Sequence, residues 1–207
     1  MSLDKIVIVD YGMGNTNSVK KQIEKTTKSV IISSKIDDIL AATKLILPGV
    51  GHFQTAMSNL KSNHLIDPLN KAVLELKTPI LGICLGMQLM TNHSEEGNVD
   101  GLSWVDGNIK YFDFKNNAHY KRPHMGWNQT KHNKRSSLLN NISEEEEYYF
   151  VHSYYMVSND SNDILCSTEY EIEFTSAFEK NNIFGVQFHP EKSHSTGEQL
   201  IKNFILL

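Results

Sequence analysis

Thr78-Pro79-Ile80-Leu81-Gly82-Ile83-Cys84-Leu85-Gly86-Met87-Gln88 is the most informative stretch of this 207-residue chain. An apolar strand ends, one polarisable residue follows, and a helix begins at once. Gly82 and Gly86 flank Cys84 at two residues on either side, which is the spacing of a nucleophile elbow, G-x-S-x-G, with sulfur in place of oxygen. So sharp a strand-to-helix turn leaves no room for side chains beside the nucleophile, hence the glycines. The turn aims the thiol at a helix N-terminus, whose dipole and free N–H groups favour a thiolate. Taken alone, a cysteine ending an apolar strand also reads as a buried small hydrophobe. Cys166, in Ile164-Leu165-Cys166-Ser167 without flanking glycines, has only that second reading.

Upstream of the elbow, short apolar runs at 5–9, 29–33, 44–47 and 79–83 alternate with helically spaced segments at 15–26, 51–61 and 65–76. That alternation predicts β-α-β units around a mainly parallel sheet covered on both faces. Downstream, the runs at 148–151, 164–166, 173–177 and 183–187 are short, aromatic and β-branched, and predict antiparallel or mixed strands. A closing helix over about 196–206 carries Leu200, Ile201, Phe204 and Ile205 at helical spacing. There is no repeat and no linker, so one domain over 1–207 is expected.

The bulk properties narrow the class further. Hydrophobic residues make up 40% and charged residues 21%, as in an ordinary globular protein. The net charge of −4 offers no basic field for nucleic acid. No apolar run approaches the roughly 18 residues of a spanning helix, and the first strand begins too early for a signal peptide. With two distant cysteines read as free thiols, the expectation is a cytoplasmic protein without nucleic-acid or membrane partners.

A thiol nucleophile needs a base, and the base needs a group to orient it. Of nine histidines, His189 stands out in Gln187-Phe188-His189-Pro190-Glu191. On an extended segment residues two apart share a face, so His189 and Glu191 would point the same way. Pro190 suits a strand end at the carboxyl edge of the sheet, where sites of open α/β folds lie. Acyl transfer also needs oxyanion donors. The strand 44–47 ends in Pro48-Gly49-Val50-Gly51, whose freed backbone offers the N–H groups of Val50 and Gly51, and Leu85 offers the one after the nucleophile. Asp10-Tyr11-Gly12-Met13-Gly14-Asn15 is a second glycine loop, but it lacks the third glycine and the downstream acid of a nucleotide site. No His/Cys/carboxylate set has metal-ligand spacing, and no cofactor is expected.

Together these residues resemble the class I (triad) glutamine amidotransferases, and within them the glutaminase subunits of imidazole glycerol phosphate synthase. The resemblance is carried by residues 10–15, 47–53 and 82–88, by Pro123-His124-Met125-Gly126-Trp127-Asn128, by Tyr149-Phe150-Val151-His152-Ser153-Tyr154, and by residues 187–192, in the family's order. It implies a flavodoxin-like open sheet flanked by helices, with added antiparallel strands in the second half. It implies that Cys84 attacks L-glutamine to give a glutamyl thioester, with His189 as acid and base and Glu191 holding the imidazole. Gly51, Gln88, Ser153 and Tyr154 fall where the family holds substrate. Trp127, Asn128 and Lys192 fall where it faces a (β/α)8 cyclase subunit, which receives the ammonia in histidine biosynthesis.

The resemblance also implies regulation by that partner. Losing an oxyanion donor costs about 3–4 kcal/mol, and a poor backbone conformation costs about 1–3 kcal/mol. A Gly49-Val50-Gly51 turn held inactive in the isolated chain is therefore expected. Thr16-Asn17 departs from the family's usual leucine followed by a basic or polar residue, which bears on coupling to the partner. The loops at 115–121 and 131–143 carry no motif. Two other readings share the elbow: a paralogous subunit feeding another acceptor, such as surface-sugar amidation, and a γ-glutamyl hydrolase or thiol peptidase.

Overall fold

The computed structural model describes residues 5–114 and 120–207, so most of the loop expected over 115–121 lies outside the described residues. Four strands, β1 (Ile6–Val9), β2 (Val30–Ser33), β3 (Lys44–Gly49) and β4 (Ile80–Cys84), lie parallel in the order β2-β1-β3-β4. The expected apolar runs are all there, displaced by a residue or two. The helices between them are α1 (Thr16–Ile23), α2 (Ile36–Leu40), α3 (Phe53–Ser62) and α4 (Ile66–Asn70), and α5 (Leu85–Leu89) leaves the end of β4. The helix expected over 65–76 is α-helical only to Asn70 and continues as a π turn over Lys71–Glu75. Lys77, at φ +57°, and Pro79 then end it.

The second half adds β5 (Gly107–Tyr111), β6 (His124–Gln129), β7 (Glu147–His152), β8 (Tyr154–Ser158), β9 (Ile164–Tyr170), β10 (Ile172–Lys180) and β11 (Ile183–Val186). β11 returns to the centre and pairs parallel with β4, whereas β10 pairs antiparallel with β11, β8 with β10, and β5 with β8. β6 and β7 form a separate antiparallel ribbon that pairs Trp127 with Tyr149 and His124 with His152. The closing helix α6 spans His194–Leu206.

Alternation within the central strands feeds two cores. Ile6 and Ile8 face Val19 and Ile23 of α1 and Leu200 and Phe204 of α6. Val7 and Val9 face Phe53, Ala56 and Leu60 of α3 and Leu69 beyond it. Because both faces are covered, these strands read as continuous apolar runs.

The elbow depends on its glycines for packing. A Cβ on Gly86 would fall on the Leu47 carbonyl oxygen, and one on Gly82 would lie 2.8 Å from the Met87 backbone. These contacts let α5 start hard against β3 and β4, and Cys84 takes the turn at φ +53°, ψ −111°. For a residue with a side chain that conformation costs about 1–3 kcal/mol, the kind of strain that gathers at active sites.

Candidate active site

Strand register assembles the site. β3 and β4 end level, Gly49 opposite Cys84, so Val50 and Gly51 emerge directly beside the nucleophile. Val186 of β11 lies opposite Ile83, so the chain leaving β11 carries Gln187 and then His189 past the same edge. Val50, Gly51, Cys84, Leu85, Gln88, Ser153, Tyr154, His189 and Lys192 all line one cavity of about 340 Å³. Thus the expected nucleophile, base, oxyanion residues and substrate residues come together, with Lys192 at the rim. A larger polar depression over residues 132–141 contains no cysteine and lies in a loop without a family motif.

His189 Nδ1 is 2.8 Å from Glu191 Oε1, and both side chains are almost fully buried. The route to this contact differs from the expected extended segment. His189 itself is extended, but Pro190–Lys192 is a 3₁₀ turn that brings the carboxylate back under the ring. Proline at the first position of such a turn loses no hydrogen bond, since that N–H would be unpartnered anyway. The His189 main chain is fixed by its N–H to the Tyr149 carbonyl at 2.9 Å and by Ser193 Oγ donating to its carbonyl at 2.6 Å.

With Nδ1 committed to Glu191, Nε2 is left for Cys84 and makes no well-formed hydrogen bond in this resting arrangement. Loose contacts of this kind tighten when substrate binds. Burial would hold the ring neutral, but the neighbouring Cys84 sulfur, then Glu191, outweigh it and push its pKa up to about 10. Cys166 is the opposite case. It is fully buried, and burial pushes its thiol up to about 12, so it is core.

The glycine loop at 10–15 packs against the turn at 48–51. A Cβ on Gly14 would lie 3.3 Å from the Pro48 carbonyl group, and one on Gly51, at φ +106°, would lie 2.8 Å from Met13 Cε. Buried Tyr11 donates to the Pro48 carbonyl at 2.9 Å. The loop thus braces the strand end that precedes the oxyanion residues.

The three residues expected at a partner face do not point one way. On β6, Trp127 and Asn128 lie on opposite sides of the ribbon. Trp127 is outward, 44% exposed, and stacks on His194 at 4.9 Å. Exposed Met125 shares its side, and Lys192 lies 5.6 Å from the Tyr149 ring that Trp127 also touches. Asn128, half-buried on the other side, donates to the Glu169 carbonyl at 3.0 Å and accepts from the Gln129 N–H.

Sequence reasoning missed three polar groups of this site. Glu96 contributes a carboxylate to the cavity wall while accepting the Phe53 N–H at 2.8 Å. His152 donates from Nδ1 to the Tyr154 carbonyl at 2.7 Å and accepts from His124 Nδ1 at 3.0 Å. Burial lowers both rings, to about 3 for His152 and about 4 for His124, so the pair stays neutral. Gln187 touches the nucleophile itself. Gln187 stands two residues before His189 in an extended run and His152 within the segment 149–154, but neither pattern marks a site role. Glu96 and His152 are brought in by loop and ribbon geometry.

Position alone does not make a cysteine a nucleophile, but a strained elbow facing a buried His–Glu pair beside a glycine turn defines a cysteine acyl-transfer enzyme. The profile of the family "Glutamine amidotransferase class-I" matches residues 7–207, and the chain belongs to that family. It is 54% identical over 200 residues to "Imidazole glycerol phosphate synthase subunit HisH 2" of Methanococcus maripaludis, covering 97% of this chain and 98% of that protein. It is 45% identical to the protein of the same name in Pseudomonas aeruginosa, covering 98% and 99%, and 38% identical to subunit HisH of Leptospira interrogans, covering 98% and 100%. Among solved structures, PurLQS from Thermotoga maritima shares the fold, with a TM-score of 0.71 at 17% identity over 98% of this chain and 97% of that one. Among the described residues no cluster of His, Cys, Asp or Glu could hold a metal ion, and no helix is long and apolar enough to cross a membrane.

Proposed function

We propose that this chain is the glutaminase subunit of an imidazole glycerol phosphate synthase, one cytoplasmic amidotransferase domain that supplies ammonia to a (β/α)8 cyclase subunit. The observation that carries this reading is Cys84 at a strained elbow in one cavity with the buried His189–Glu191 pair. The Cys84 sulfur attacks the carboxamide carbon of glutamine, and Val50, Gly51 and Leu85 supply main-chain N–H groups to the oxyanion. His189, held protonated at rest, gives its proton to the departing ammonia. It then takes a proton from the water that hydrolyses the thioester, and glutamate leaves.

Glu96 is the carboxylate available to the α-ammonium group of glutamine. Glu96→Gln keeps an acceptor for the Phe53 N–H and removes only the charge, so it is predicted to raise KM for glutamine about 10- to 100-fold, the size of a charged hydrogen bond. An unchanged KM, measured by glutamate release at varied glutamine, would count against this assignment.

The exposed surface of Met125, Trp127, Lys192 and His194 is the face offered to the cyclase subunit. The test is to label the chain with a glutamine-analogue electrophile with and without the cyclase subunit, and to ask whether the gene rescues a histidine auxotroph. Labelling at Cys84, low glutaminase activity in the isolated chain, activation by the partner and rescue are expected. Strong partner-independent turnover would overturn the regulated oxyanion turn. Two of the relatives carry the number 2 in their names, which favours a second reading, a paralogous subunit serving another acceptor such as surface-sugar amidation. Activity with a different synthase partner, and failure to rescue the auxotroph, would select that reading.

A further inference from the structure

One buried amide beside the nucleophile has no role in the chemistry of Cys84, His189 and Glu191. Gln187 has no exposed surface, and the register of β11 on β4 sets it level with Cys84. Its Nε2 lies 3.6 Å from Cys84 Sγ, and its Oε1 lies 2.8 Å from Gln88 Nε2.

An amide side chain can be reversed, so its direction needs a physical cause. That cause is the Tyr154 main-chain carbonyl, which can only accept. It lies 3.1 Å from Gln88, so Gln88 must present its NH₂ group there. The second hydrogen of that NH₂ points to Gln187, which must therefore present its oxygen. A reversed Gln187 would set two NH₂ groups against each other in a buried site, at the cost of an unsatisfied donor. Only one end of Gln187 then remains for the sulfur, and it is the donor. The same carbonyl sets the His152 tautomer, since it also accepts from His152 Nδ1.

We propose that Gln187 is a catalytic residue, a hydrogen-bond donor that holds the Cys84 sulfur as a thiolate, with its direction imposed by Tyr154 through Gln88. The proposal rests on the reading of Cys84 as the nucleophile. A donor aimed at sulfur stabilises the anion more than the neutral thiol, because hydrogen bonds to charged groups are the stronger kind. It complements His189, which carries the compensating positive charge.

The test is alkylation of the full-length chain by iodoacetamide, read at Cys84 by mass spectrometry, in wild type, Gln187→Leu and Gln187→Glu. Leucine removes the donor and the acceptor. Glutamate keeps the shape and the acceptor for Gln88 and puts a carboxylate beside the sulfur. At pH 7 the Leu variant is expected to react about tenfold more slowly than wild type, and the Glu variant at least as slowly. The Leu variant should regain the wild-type rate by about pH 10, above the ordinary free-thiol value of about 8.5. If the Leu variant does not fold, the Glu variant decides, because its side chain is isosteric. Wild-type rates at pH 7 in the folded variants, whatever their melting temperatures, would overturn the proposal. Failure of wild type to alkylate at Cys84 would instead overturn the reading of the nucleophile.

Discussion

Replacing Cys84 by alanine is expected to lower glutamine turnover by on the order of 10⁶, the scale of losing a nucleophile from a catalytic triad. Nothing else in the cavity can replace it. Cys166 is fully buried within the core and its thiol is held neutral at physiological pH, so it neither reaches substrate nor ionises. The adduct of a glutamine-analogue label should therefore vanish rather than move. The backbone provides a second readout. Cys84 stands at φ +53°, a conformation that costs a residue with a Cβ about 1–3 kcal/mol. Cys84→Gly should thus be inactive yet melt at a higher temperature than Cys84→Ala. Label recovered at Cys166, or residual turnover within tenfold of wild type, would remove Cys84 from the mechanism.

The second large effect concerns the orienting carboxylate. Glu191→Gln is expected to reduce kcat by up to about 10⁴, the loss seen when the acid of a serine triad becomes an amide. Glutamine preserves the 3₁₀ turn but no longer favours the imidazolium or fixes its tautomer. In the wild type the His189 pKa is raised from 6.5 to about 10 against the burial that would lower it. Folding stability from this group is therefore fully present below about pH 6.5 and is lost as pH rises through about 10. In Glu191→Gln the upper edge of that window should move down, because one of the groups that favour the proton has gone. Histidine ¹³C chemical shifts against pH would show it, with the His189 midpoint falling toward 6.5. An unchanged midpoint together with an unchanged kcat would leave Glu191 a structural residue only.

The local elements of this fold were legible because each follows from rules that act over a few residues. Apolar runs bounded by Pro48-Gly49 and Thr78-Pro79 could only be buried strands, and Gly-x-Cys-x-Gly marks a turn that tolerates nothing larger. His189 and Glu191 were paired correctly for an incomplete reason. Their spacing suggested an extended face, whereas the contact is made by a 3₁₀ turn that Pro190 begins. Trp127 and Asn128 are neighbours in sequence, yet strand alternation sends one outward and the other into hydrogen bonds with the Glu169 carbonyl and Gln129.

Short-range patterns sufficed to mark Cys84, His189, Glu191 and the glycine turn as candidates, because their strand-end positions are written in a few neighbouring residues. Tertiary structure decided what stands around them. Glu96 reaches the cavity from the segment after α5, and His152 joins His124 across the β6–β7 ribbon. The donor end of Gln187 is turned toward sulfur by a carbonyl 33 positions away in the chain, relayed through Gln88. Such contacts depend on the register between strands and on which group can only accept. Both are properties of paired segments, and no single segment carries them.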